Sequence, residues 1–114
     1  MNILYHIDDK NKWDLVLKNI EEMVDYYEEH QIDYDIEVVA VDEAILGYQK
    51  KVNSNLYKKI ENLFARQVSF LACHSALKEL DIQMNDIFDF VYVVPNGMVE
   101  IAQKQAIGFS YIKI

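Results

Sequence analysis

The segment Val68-Ser-Phe-Leu-Ala-Cys-His-Ser-Ala-Leu77 carries the one thiol of the chain, Cys73, where an apolar run gives way to helical spacing. A lone cysteine forms no internal disulfide. With a strand before it and a helix after it, the sulfur stands at a strand's carboxyl end and a helix's amino end. Unpaired backbone N–H groups and the positive end of the helix dipole meet there. Such surroundings stabilise a thiolate, the form of cysteine that does chemistry. A buried structural cysteine is the competing reading, since free cysteines are among the most buried residues.

Few other side chains are placed to assist. His74 is a candidate base or positive neighbour, although adjacent residues often point apart. Ser75 reads as a helix cap. His6, within an apolar run, reads as a hydrogen-bonded structural residue; with Asp8 two positions on, both side chains share a face if the strand persists. Such a His–Asp pair can tune a nearby thiol. Asn96 and the Gly97 amide, after Pro95, stand at another strand end and can donate to the sulfur. No metal is expected, because His6, His30, His74 and Cys73 are scattered and lack ligand spacing. No cofactor is expected either: Gly47, Gly97 and Gly108 fit neither a dinucleotide fingerprint nor a phosphate loop.

The elements that position these residues alternate along the chain. Asn2 to Ile7 reads as a buried strand. Trp13, Val16, Leu17, Ile20, Met23, Val24 and Tyr27 follow a helical period through His30, with Asp9 or Asn11 as the cap. Tyr34 to Val41 reads as a strand, Asp42 to Gly47 as a short helix and Gln49 to Asn55 as a polar loop. Leu56, Ile60, Leu63 and Phe64 mark another helix. Strand Val68–Ala72, a helix over 75–80, a turn at Met84–Phe88, strand Val91–Pro95, a helix ending before Gly108 and strand Phe109–Ile114 complete the series. This alternation predicts an α/β fold: one three-layer αβα domain over residues 1–114, with a mostly parallel five-stranded sheet and right-handed crossovers. Ligands in such sheets bind beyond the carboxyl ends of the strands. Cys73 is then expected on a central strand.

The bulk composition is that of a globular domain: 114 residues, 52% hydrophobic and 26% charged, with three Gly and one Pro. A chain of this length buries roughly two-thirds of its unfolded surface. The net charge of −8 argues against nucleic acid and anionic membranes as partners. Thirteen of the nineteen acids lie between Asp8 and Glu43, opposed by Lys10, Lys12 and Lys18. They read as a solvated face or as a docking face for a basic partner. No stretch approaches the roughly 20 apolar residues of a membrane span. The lone cysteine and the lack of an export signal suggest the cytoplasm. Eight tyrosines and Trp13 exceed the needs of so small a core. Aromatics favour interfaces, so Leu15, Tyr26 and Tyr48 are candidate subunit contacts.

Several ordered blocks resemble the DsrE/DsrF-like family: Ile3-Leu-Tyr-His-Ile-Asp8, Lys12-Trp-Asp-Leu-Val-Leu-Lys-Asn19, Glu37-Val-Val-Ala-Val41, Phe70-Leu-Ala-Cys-His-Ser-Ala-Leu77 and Val93-Val-Pro-Asn-Gly97 onward to Lys113. The resemblance implies a compact α/β domain assembled as a homo-oligomer, a trimer or hexamer. Relatives carry sulfur as a cysteine persulfide, so the resemblance also implies a protein partner that donates or accepts sulfur. Cys73 matches the position of the family's shared cysteine. Three functions are therefore expected in order: a thiol-based sulfur carrier, a non-enzymatic ligand-binding or assembly module in which Cys73 is structural, and a redox sensor whose cysteine oxidises to a sulfenic acid.

Overall fold

Among the described residues, the five strands are β1 (Asn2–Ile7), β2 (Asp35–Ala40), β3 (Val68–Cys73), β4 (Tyr92–Val94) and β5 (Ser110–Lys113), and the four α-helices are α1 (Trp13–Glu29), α2 (Ser54–Ala65), α3 (His74–Glu79) and α4 (Gly97–Ala106). The structure, a computed structural model, describes residues 1–51 and 54–114. Val52 and Asn53, within the polar loop expected at Gln49–Asn55, lie outside the described residues.

All strand pairings are parallel, in the order β4-β3-β2-β1-β5. The expected mostly parallel sheet is thus wholly parallel. Each of the first three crossovers steps one strand in the same direction. The last, from β4, returns across the sheet to the far side of β1. Right-handed crossovers put helices on one face for the outward steps and on the other face for the return. The register identifies the faces. Ile3, Tyr5, Ile36, Val38, Val68 and Phe70 point to the α1–α2 side; Leu4, His6, Glu37, Val39, Leu71 and Cys73 point to the α4 side. Cys73 sits on β3, which has β2, the middle strand, on one side and edge strand β4 on the other.

The periodicity of α1 buries Trp13, Val16, Leu17, Ile20 and Val24, and that of α2 buries Leu56, Ile60 and Leu63. Phe64, counted with the buried stripe in sequence, is exposed instead. The acidic face of α1 is partly met by α2: Arg66 bridges Asp25 (2.7 Å) and Glu28 (2.6 Å), and Lys59 reaches Asp14 (3.1 Å). Residues 42–48 form a 3-10 turn that runs through Gly47 to Tyr48 rather than stopping there. Tyr48 is fully buried, so it is no interface contact; its hydroxyl donates to the Leu71 carbonyl (3.0 Å) and its ring packs on Trp13 and Phe70. Leu15 and Tyr26 are exposed. No helix among the described residues is long and apolar enough to cross a membrane.

Trp13 anchors this side. Its indole N–H donates to the Ala44 carbonyl (2.9 Å), and its ring lies over Gly47. A Cβ at Gly47 would fall inside the indole. Gly47→Ala should therefore destabilise the fold by about 1–3 kcal/mol, the usual cost of overpacking. A chemical-denaturation midpoint equal to that of the parent protein would contradict this packing.

Candidate functional site

Cys73 ends β3 and serves as the N-cap residue of α3. It is 6% exposed. The contact that distinguishes its sulfur comes from elsewhere: the Gly97 backbone N–H donates to Sγ at 3.2 Å. Gly97 is the first residue of the ten-residue α4, so Sγ rests on the amino end of that helix as well as beside α3. Of the two helix ends, α4 is the one that supplies a hydrogen bond to the sulfur. The sequence also places the Gly97 amide at this sulfur, though as turn chemistry ahead of the last helix rather than as that helix's first residue; α3 is just six residues long.

Glycine is required here by close approach. A Cβ on Gly97 would meet Val41 and sit 3.3 Å from the Cys73 Cβ. Without it, the amino end of α4 settles directly on the ends of β2 and β3. Asn96 caps this helix: its side chain accepts from Met98 N (2.9 Å) and Val99 N (3.2 Å). Of the two neighbours expected to donate to the sulfur, the Gly97 amide does so, and Asn96 is occupied in holding Gly97 in place. Ser75 ties the two segments together by donating to the Pro95 carbonyl (3.3 Å) rather than capping α3, whose N-cap position is held by Cys73 without a side-chain hydrogen bond.

The remaining candidates lie apart from the sulfur. His74 turns to a separate groove with Leu77, Lys78 and Asp81. His6 shares the α4 face, but its register partner is Val39, and β2 separates β1 from β3. Two strand spacings amount to roughly 10 Å. His6 Nδ1 instead lies 2.6 Å from the Tyr111 hydroxyl on β5. Burial pushes its pKa below the usual value, with the nearby Lys113 charge acting the same way. Asp8 pairs with Lys113 (2.9 Å), whose hydrogen bond holds the carboxyl below its usual range. The His6–Asp8 pair therefore serves the β1–β5 edge and does not reach Cys73.

A second cluster, absent from the sequence reading, lies under the same helix. Glu37 is 5% exposed, and its Oε2 accepts from Lys104 Nζ at 2.7 Å. Lys104 also reaches Glu100 one turn earlier on α4 (3.1 Å). One ammonium thus serves two carboxylates. Glu37 Oε1 is buried and has no donor. Glu100 faces it, and two carboxylates hydrogen-bond only through a proton held between them. Burial first, and then Glu100, push the Glu37 pKa up to about 7. Two signals in sequence point to the cluster: an acid inside the apolar run Ile36-Glu-Val38, and the i, i+4 spacing of Glu100 and Lys104.

A model of the DsrE/DsrF-like family matches residues 12–114. A protein of unknown function from Methanobacterium thermoautotrophicum, MTH1491, is 25% identical with a TM-score of 0.87, over 98% of this chain and 97% of that one. The ychN protein from E. coli shares the fold at 15% identity, with a TM-score of 0.74 over 100% of this chain and 99% of that one. No curated protein matches the chain.

The raised pKa of Glu37 sets a pH dependence. Between its ordinary value of 4.5 and about 7, the folded chain holds a proton that the unfolded chain releases. The stability this contributes is full below 4.5 and is lost as pH rises through about 7. The stability difference between the parent protein and Glu37→Gln, whose amide can donate to Glu100 without ionising, should therefore shift in favour of the variant across that interval. Parallel stability–pH curves for the two proteins would refute the shared proton.

Proposed function

The chain belongs to the DsrE/DsrF-like family, and on that premise we propose that it is a thiol-based sulfur carrier holding a persulfide on Cys73. The observation that carries this reading is the Gly97 N–H directed at Sγ from the amino end of α4. The Cys73 thiolate attacks the outer sulfur of a donor persulfide, R–S–SH. A new S–S bond forms to Cys73, the old one breaks, and R–S⁻ leaves with the electron pair while the proton stays on the outer sulfur. An acceptor thiolate then repeats the exchange, and Cys73 is the leaving group. No oxidant or reductant is consumed. The Gly97 N–H donates to the Cys73 sulfur before attack and again as it departs. In this reading the carrier is one domain spanning residues 1–114, works as a homo-oligomer in the cytoplasm, and meets a sulfur donor or acceptor protein.

The burial of Cys73 favours a second reading: a non-enzymatic ligand-binding or assembly module in which the cysteine packs between two helix ends. The two readings separate on reactivity. A carrier's thiol is alkylated by iodoacetamide in the folded protein; a structural thiol reacts at the rate of global unfolding.

Incubation with a sulfane-sulfur donor, followed by intact-mass measurement without reductant, should show one added sulfur atom that a thiol reductant removes. Cys73→Ser should show none. A folded parent protein that gains no sulfur under these conditions would remove the carrier reading.

A further inference from the structure

Helices cover the α4 face of the sheet unevenly. Helix α4 begins over Val39 of β2 and Val41 just past it and runs down past Glu37 toward β5, with Lys104 over the Phe109 ring. Among the described residues, the β3–β4 part of that face is open at Ser69 and Tyr92, while Leu71, Val94 and Cys73 are buried. Parallel sheets are normally covered on both faces. Here the uncovered strip is a cleft of about 430 Å³, within the general range of about 300–1,000 Å³ for small-molecule sites. Its floor includes Ser69 and Leu71 of β3 and Tyr92 and Val94 of β4; Phe64 and Phe90 line it further, and Glu37, Glu100 and Lys104 form its charged wall. Tyr92 is 70% exposed.

The floor ends beside the buried Cys73, which is not itself part of the lining. Leu71 precedes Cys73 by two positions on the same face, and Val94 is its register partner. The charged wall lies at a measurable remove. Glu100 and Lys104 follow Gly97 by three and seven residues, roughly 5 and 10 Å along the helix. A groove of about 500 Å³ between α1 and α2 offers no comparable group, since it lies on the opposite face and its Lys59 and Asp14 pair with each other.

The unsatisfied atom defines the chemistry. Once the proton between Glu37 and Glu100 has left, Glu37 Oε1 has no donor and two carboxylates share one lysine, so the wall is then short of one positive hydrogen-bond donor. The aromatic rings opposite suit a cation as well. We infer that this cleft binds a peptide-sized thiol, or its persulfide, whose free α-ammonium completes the Glu37–Glu100–Lys104 cluster while its sulfur points toward Cys73. A chain of three residues extends about 10 Å, which matches the separation along α4. The sulfur end of this inference rests on the carrier reading above; the ammonium end rests on Glu37. Binding replaces the proton shared with Glu100 by an N–H donor, so that proton passes to solvent. The groups around Glu37 are Glu100 and Lys104 from α4, Ser69 from β3 and Leu4 from β1.

The test uses S-methylglutathione, which has an α-ammonium and no transferable sulfur, so its outcome is independent of persulfide formation on Cys73. Calorimetry at neutral pH should show saturable binding to the full chain. The N-acetylated form of the same probe should bind at least about tenfold more weakly, as expected for loss of a charged hydrogen bond. Affinity of the parent protein should fall as pH drops below about 7, and Glu37→Gln should bind weakly with that dependence gone. Tyr92→Ala, at an exposed position that leaves the core intact, should also weaken binding. No saturable binding, equal binding of the acetylated probe, or undiminished binding to Tyr92→Ala would each overturn the inference.

Discussion

The return of the chain from β4 to β5 is the constraint on which the rest depends. Four strands laid down in one direction leave the last strand to be placed beyond the first, and a right-handed crossover can reach it only over the opposite face. The helix that makes this journey must start near the carboxyl end of β4. That start lies beside the end of β3, where Cys73 stands. The bond from Gly97 to the sulfur is thus a result of topology, made possible by a residue without a side chain at the point of nearest approach. The reversal of strand order itself lies between β1 and β5, two strands from Cys73, so the sulfur owes its donor to the start of the returning helix and not to the switch point.

The same helix has to be held down on a sheet face that it covers only in part. Apolar packing through Ile101 does some of this, and Lys104 does the rest by reaching Glu37 beneath it. A carboxyl group at this depth loses its hydration, and it is tolerated because a cation and a proton between them meet its two oxygens. The arrangement is close to neutral only while that proton is present. Helix placement, the amide donor at Cys73 and the ionisation of one glutamate are therefore mechanically linked along a single ten-residue element.

Much of this fold was legible in the residues. The apolar spacing of α1 and the runs ending at Ile7, Val41 and Ala72 identify elements whose burial is set by local pattern. The helix ends were harder to read, for a physical reason. Gln31, Gln67 and Asp81, just past α1, α2 and α3, adopt positive φ where glycine is the usual signal. After α1 and α3 the chain closes with the paired bonds Ile32 N–Tyr27 O with Gln31 N–Glu28 O, and Ile82 N–Leu77 O with Asp81 N–Lys78 O. At the site, Cys73 and Gly97 could be named from strand ends alone. Their contact could not, because it depends on where the last crossover lands. The Glu37 cluster stayed hidden for the same reason: an acid in a strand looks solvent-facing until a lysine from a remote helix is known to lie above it.

The edge pairing of β1 with β5 has a consequence for how the protein comes into being. His6 and Tyr111, held 2.6 Å apart, are separated by 105 positions in the chain. Until β5 is in place, β1 therefore has one bare flank. A parallel strand with an open edge is a template for mispairing, and closing so long a loop is slow. Pairing with β5 covers that edge, so the strand most distant in sequence from β1 is also the one that closes its flank.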